Sequence, residues 1–183
     1  MICVSIARGK VRDLLAEHQR LVAQGVELVE WRLDWLREPI DLTKMLKERP
    51  GPVIVTCRLP QDFGKWDGNE AERLGLLRSA IVAGADYVDL EEDAARAIGR
   101  YGTTKRIVSM HDIKRTPDDL DAIHARLAAC DADIVKIATT ARRPQDCLRV
   151  LELTNRSTIP TIGLCMGDVG LPTRLLANKF GSF

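Results

Sequence analysis

Short apolar runs and amphipathic, helix-length segments take turns from one end of this sequence to the other. ICVSIA leads into KVRDLLAEHQRLVAQG, where Val11, Leu14, Leu15, His18, Leu21 and Val22 form one helical stripe that Gly25 ends. VELVEWRLDW, PVIVTCR, DYVDLE, KRIVSMH, DIVKIA and TIGLCM are the further strand candidates. Helices are expected near 42–48, from Asn69 to Ala83, near 92–100, after TPDD, near 144–155 and from about Pro172. In TPDD, Thr116 is the expected cap and Pro117 the first helical residue, where a missing amide donor costs nothing. Seven strands, each followed by a helix, imply a parallel sheet, because parallel neighbours need a crossover connection.

Two parallel architectures compete, a doubly wound open sheet and a (β/α)8 barrel. The first strand-to-helix turn, ARGKVRD, lacks the G-x-G-x-x-G spacing of a dinucleotide site, and no G-x-x-x-x-G-K-[ST] loop occurs. The expected fold is therefore α/β, of the (β/α)8 TIM-barrel type, a single domain over 1–183 that lacks the eighth β/α unit. LPQDFGKWDGNE, 59–70, is the one long polar loop and the candidate lid.

With 183 residues, 45% hydrophobic and 29% charged, the chain can bury a sizeable core. A formal charge of +1 gives no reason to expect a nucleic-acid or acidic-membrane partner, and no apolar run approaches the roughly 20 residues of a membrane span. Five cysteines without a C-x-x-C pair suggest neither a disulfide framework nor a zinc site, which fits a reducing cytoplasm. MICVSIARGK does not read as a secretory signal.

In barrels the reactive side chains stand at the carboxyl ends of strands. Collected there are Glu30, Arg32 and Asp34 on the second strand, Arg58 on the third, Glu91 on the fourth, His111 on the fifth, Lys136 on the sixth and Met166 on the seventh. Each alone has a bland reading: a wet strand face for the 30/32/34 alternation, a surface arginine for Arg58, helix-dipole compensation within DLEED for Glu91. Lys136 is harder to dismiss, because Ile134, Val135, Ile137 and Ala138 surround it. An amine in such surroundings loses hydration, becomes neutral more readily and attacks ketones. The resulting iminium acidifies the adjacent C–H, which His111 on the preceding strand can deprotonate, with Glu91 to orient the imidazole. Arg58 and Arg174 would clamp an anion. The residues thus point to Schiff-base chemistry on a small oxo-acid, with aldol cleavage and dehydration both open.

VEWRLDW, VTCR, DYVDLE, IVSMHDIKRTP, DIVKIA and GDVGLPTRLLANKFGS, in this order, resemble the type I 3-dehydroquinate dehydratases, and the resemblance runs from Ser5 to the last residue. It implies a barrel, often homodimeric, that converts 3-dehydroquinate to 3-dehydroshikimate in the shikimate pathway without a metal or organic cofactor. It also implies that Lys136 forms the imine, that His111 moves the protons and that Glu91 pairs with His111. Arg174 would bind the carboxylate and Glu30, Arg32 and Arg58 the ring hydroxyls, with Ser5 and Met166 nearby. Met110 departs from the residue often found before the family's histidine, without consequence for the chemistry. The family pattern continues past KFGSF through an eighth strand, so the chain reads as C-terminally shortened. A class I aldolase or transaldolase-like lyase is the alternative enzyme, and a non-catalytic shortened barrel the alternative outside enzymes.

Overall fold

The computed structural model describes residues 2–183. They fall into two compact units: the chain up to Asp89 together with Ala97–Lys105, and Leu90–Arg96 together with Arg106–Phe183.

The first unit contains β1 (Cys3–Ile6), α1 (Val11–Ala23), β2 (Leu28–Arg32), α2 (Leu42–Lys47), β3 (Val53–Thr56), α3 (Glu70–Val82) and the start of β4 (Tyr87–Glu91). Its strands pair in parallel and in chain order, with Ser5 opposite Glu30, Arg32 opposite Thr56 and Thr56 opposite Asp89. The two-residue period separates two faces. Val29, Trp31, Val53 and Val55 share one of them and are fully buried. Helix α1 covers this face: Leu14 and Leu21 are buried, and the Trp31 indole donates to His18 Nδ1 at 3.1 Å. Burying each such aliphatic side chain contributes about 1.5–3 kcal/mol. Ser5, Glu30, Arg32 and Thr56 share the other face, so the packing that holds the strands in register also presents their polar side chains together.

Local chemistry sets the helix starts. Asp41 accepts from the Lys44 amide at 3.0 Å to begin α2. Asn69 and Glu72 satisfy each other's amides, at 2.9 and 3.2 Å, to begin α3.

The second unit holds α5 (Leu120–Ala128), β6 (Ile134–Thr140), α6 (Pro144–Arg156), β7 (Thr161–Met166) and α7 (Leu171–Leu175). It also takes α4 (Glu92–Ala97) and β5 (Lys105–Asp112), each but for one terminal residue. β5, β6 and β7 are parallel neighbours, with Ser109 opposite Lys136 and Lys136 opposite Ile162. Helix α6 packs so closely on β7 that a Cβ on Gly163 would meet Thr154 Oγ1 at 2.0 Å, which explains a glycine inside a strand.

Two expectations are corrected. β2 stops at Arg32, and Leu33–Trp35 forms a 3-10 turn, so Asp34 does not continue the strand alternation. Its carboxylate accepts backbone amides from elsewhere in the unit, and a straight strand would not deliver it to them. Nor does Thr116 cap a helix. α5 begins at Leu120, while the Thr116 hydroxyl shares a 2.9 Å hydrogen bond with Thr139 and donates to the Thr140 carbonyl at 3.1 Å. Satisfying the buried end of β6 takes the hydroxyl from the cap.

Candidate active site

The first unit gathers Ser5, Glu30, Arg32 and Arg58. Glu30, nearly buried on β2, accepts from the Ser5 hydroxyl of β1 and, at 2.7 Å, from the Thr56 hydroxyl of β3. Arg32 donates through Nε and Nη2 to the two oxygens of Asp34, at 2.9 and 2.8 Å. Burial opposes the charge of Arg32, yet its pKa is raised, because the hydrogen bonds and charge of Asp34, with Glu30, outweigh desolvation. Arg58 lies two residues beyond β3 and is 3% exposed, so it is not a surface arginine. Its Nη2 is 2.9 Å from Asp89 Oδ1 on β4, a carboxylate with no exposure.

The 59–70 loop is fastened to this cluster. The Lys65 amide donates to Asp34 at 2.9 Å, the Trp66 amide to the Arg58 carbonyl at 3.3 Å, and Arg32 Nη2 to the Phe63 carbonyl at 3.3 Å. Phe63 sits in the left-handed region at φ 60°. A Cβ on Gly64 would lie 1.8 Å from the Arg58 carbonyl oxygen, so the turn needs glycine there.

The second unit contains Glu91, His111, Lys136, Met166 and Arg174. Lys136 is not at the carboxyl end of its strand as expected: β6 runs on to Thr140, which leaves Lys136 mid-strand and half-buried, with Ser109 and Ile162 as its register partners. His111 pairs with Ala138, two residues on, so His111 and Lys136 share a face of adjacent strands, displaced by one side-chain row or roughly 6.6 Å. Glu91 closes β4, and α4 begins with the next residue. In the same acidic run Glu92 is a helix-start charge, bridging Arg96 at 2.9 Å and Arg126 at 2.8 Å. Met166 closes β7 opposite Thr140. Arg174 on α7 donates through Nη1 to the Cys165 carbonyl, and Thr173 accepts from the Cys165 amide at 2.9 Å. The helix carrying Arg174 is thereby pinned to β7.

Asp34 and Asp89 were not assigned roles by the residue pattern, although they prove to be the counter-charges of Arg32 and Arg58. For Asp89 a signal existed: it stands two residues before Glu91, on the same strand face. A cleft of about 970 Å³ in the first unit is lined by Asp34, Trp35, Lys65 and Trp66, with none of Ser5, Glu30, Arg32 and Arg58 on its wall. It is not the candidate reaction site. Among the described residues no group of three or more His, Cys, Asp or Glu is arranged to hold a metal ion, and no helix is long and apolar enough to cross a membrane.

Arginines, carboxylates, a histidine and a lysine, carried on or just beyond regularly alternating parallel strands and helices, define an enzyme of the TIM-barrel-like α/β class. A crystal structure of 3-dehydroquinate dehydratase from Geobacillus kaustophilus superposes with a TM-score of 0.87 at 27% identity, over 98% of this chain and 79% of that one. The Enterococcus faecalis 3-dehydroquinate dehydratase gives 0.86 at 27%, over 98% and 85%. The family model for type I 3-dehydroquinase matches residues 2–183, and the chain belongs to that family. It is 39% identical to the chloroplastic bifunctional 3-dehydroquinate dehydratase/shikimate dehydrogenase of Arabidopsis thaliana over the whole of this chain, which spans 32% of that longer protein. It is 33% identical to the 3-dehydroquinate dehydratase of Methanocaldococcus jannaschii, of which it spans 86%.

Proposed function

We propose that this chain dehydrates 3-dehydroquinate to 3-dehydroshikimate, a step of the shikimate pathway, through an imine on Lys136. The Lys136 amine adds to the substrate ketone and expels water, giving an iminium. His111 takes a proton from the carbon beside it, and the resulting enamine pushes out the β-hydroxyl, which leaves as water with a proton returned by His111. Water then hydrolyses the conjugated iminium, restoring the amine and releasing the enone. One water is consumed and two are released, so the net reaction is a dehydration without redox change.

Glu91 is assigned to orient and charge-balance His111, and Arg174 to hold the substrate carboxylate. Glu30, Arg32 and Arg58 are assigned to ring hydroxyls, with Ser5 and Met166 beside the substrate. The observation that carries the reading is the common face and one-row offset of Lys136 and His111 on β6 and β5. It suits a lysine that holds a carbonyl carbon and a base that reaches the next carbon. A cytoplasmic setting and a homodimer belong to the same proposal. Sedimentation of the natural protein tests the dimer.

The deciding experiment is incubation with 3-dehydroquinate while the ultraviolet absorbance of the conjugated enone is followed, with borohydride added to a parallel sample. The reading predicts rising absorbance and a reduced adduct on the peptide containing Lys136. An unmodified mass and a flat trace would reject it.

A further inference from the structure

We infer that Asp34 is a positioning residue for substrate binding: its carboxylate fixes the Arg32 guanidinium and, at the same time, the backbone around Arg58 and the 59–70 loop. The inference rests on the assignment of Arg32 to the substrate made above.

Four donors converge on two oxygens. Asp34 Oδ1 accepts from Arg32 Nε at 2.9 Å and from the Arg58 amide at 3.2 Å. Oδ2 accepts from Arg32 Nη2 at 2.8 Å and from the Lys65 amide at 2.9 Å. Each oxygen therefore holds one guanidinium N–H and one backbone N–H, and the Asp34 side chain is 0% exposed while that of Arg32 is 19% exposed. A two-point fork of this kind fixes the plane of the guanidinium as well as its place. The bonds to Asp34 use Nε and Nη2, which leaves Nη1 as the nitrogen available to a ligand. The 3-10 turn at Leu33–Trp35 is what brings the carboxylate round to these donors.

A residue that only supports the fold would affect every kinetic constant through the amount of folded protein. A residue acting through Arg32 would not. The test is a double-mutant cycle with Asp34→Asn and Arg32→Met, read as KM and kcat for 3-dehydroquinate on folded, active-site-titrated enzyme. Asparagine can still accept one backbone amide but offers Arg32 neither the charge nor the second acceptor. Asp34→Asn should raise KM about tenfold, the scale of one lost ionic hydrogen bond, with kcat changed by less than about threefold. In the Arg32→Met background the same change should move KM by clearly less than in the parent, the remainder acting through the backbone of Arg58.

Equal multiplication of KM in both backgrounds, or a loss confined to kcat, would overturn the inference. Hydrogen exchange of the peptide spanning Arg58 to Lys65 provides a readout that needs no turnover. Faster exchange in Asp34→Asn is expected, and unchanged exchange would also overturn the inference. If the parent protein shows no turnover, the substrate reading fails by itself, and the exchange result still decides whether Asp34 holds this backbone.

Discussion

His111 stands one side-chain row beyond Lys136 on the same face of two parallel strands, because Ser109 pairs with Lys136 and His111 with Ala138. The offset separates the two proposed tasks: one residue forms a covalent bond and the other moves protons at the neighbouring carbon.

Lys136→Ala should therefore abolish both turnover and the borohydride-trapped adduct. His111→Ala should slow turnover by at least about a hundredfold, the usual scale of general acid–base catalysis, while some adduct still forms. Intact-mass spectrometry of each variant after reduction checks both. Equal loss of adduct in the two would count against the division of roles.

Arg58 and Asp89 form a 2.9 Å ion pair with side-chain exposures of 3% and 0%. Asp89→Asn removes that counter-charge from a buried guanidinium and should destabilise the protein by about 3–5 kcal/mol. Asp89→Leu combined with Arg58→Met should cost clearly less than the two single changes summed, since no charge is left stranded. Urea denaturation midpoints of the four proteins provide the comparison.

His18 is fully buried, and burial, reinforced by Arg49 and opposed by Asp86, holds its pKa below the ordinary imidazole value of 6.5. His124 is lowered likewise, by burial first. Above 6.5 neither the folded nor the unfolded chain carries these protons, and the stability is fully present. As the pH falls through that value the unfolded chain binds protons that the folded chain does not, and stability is lost. His18→Gln should flatten this loss, because glutamine can accept from the Trp31 indole without titrating. Urea midpoints at about pH 7.5 and about pH 5.5 measure the slope.

The Cys147 thiol is pushed up to about 11 by burial and by neighbouring Cys165, and it donates to the Val169 carbonyl at 3.1 Å. Iodoacetamide at mildly alkaline pH should accordingly modify exposed Cys3 in the native protein and spare Cys147, which should react once urea is added. Peptide mapping after each treatment distinguishes the sites. Rapid native labelling at Cys147 would mean that α6 does not stay packed against β7.

Much of the architecture is readable before any coordinates, because alternation at periods of two and 3.6 is a direct record of which faces are buried. The apolar run DIVKIA becomes β6, and Asn69 through Ala83 becomes α3 with its two caps. What escapes is where a polar side chain spends its hydrogen bonds when several partners compete. Thr116 looks like a cap by its neighbours in sequence, yet residues 23 and 24 positions away claim its hydroxyl. Asp34 looks like the third member of an alternating face, yet the turn that displaces it is favoured by donors from Arg58 and Lys65. Asp89 hides within an acidic run of which another member, Glu92, really is a helix-start charge.

Because Arg32 and Arg58 already have carboxylate partners in Asp34 and Asp89, while Glu30 carries a further negative charge, this polar cluster projects little attraction into bulk water. A ligand meeting these side chains would be sorted by donor and acceptor geometry at contact, and ionic strength should hardly change how fast it arrives on their account. Guanidiniums neutralised in this way are suited to gripping hydroxyl groups, whose recognition depends on direction more than on charge.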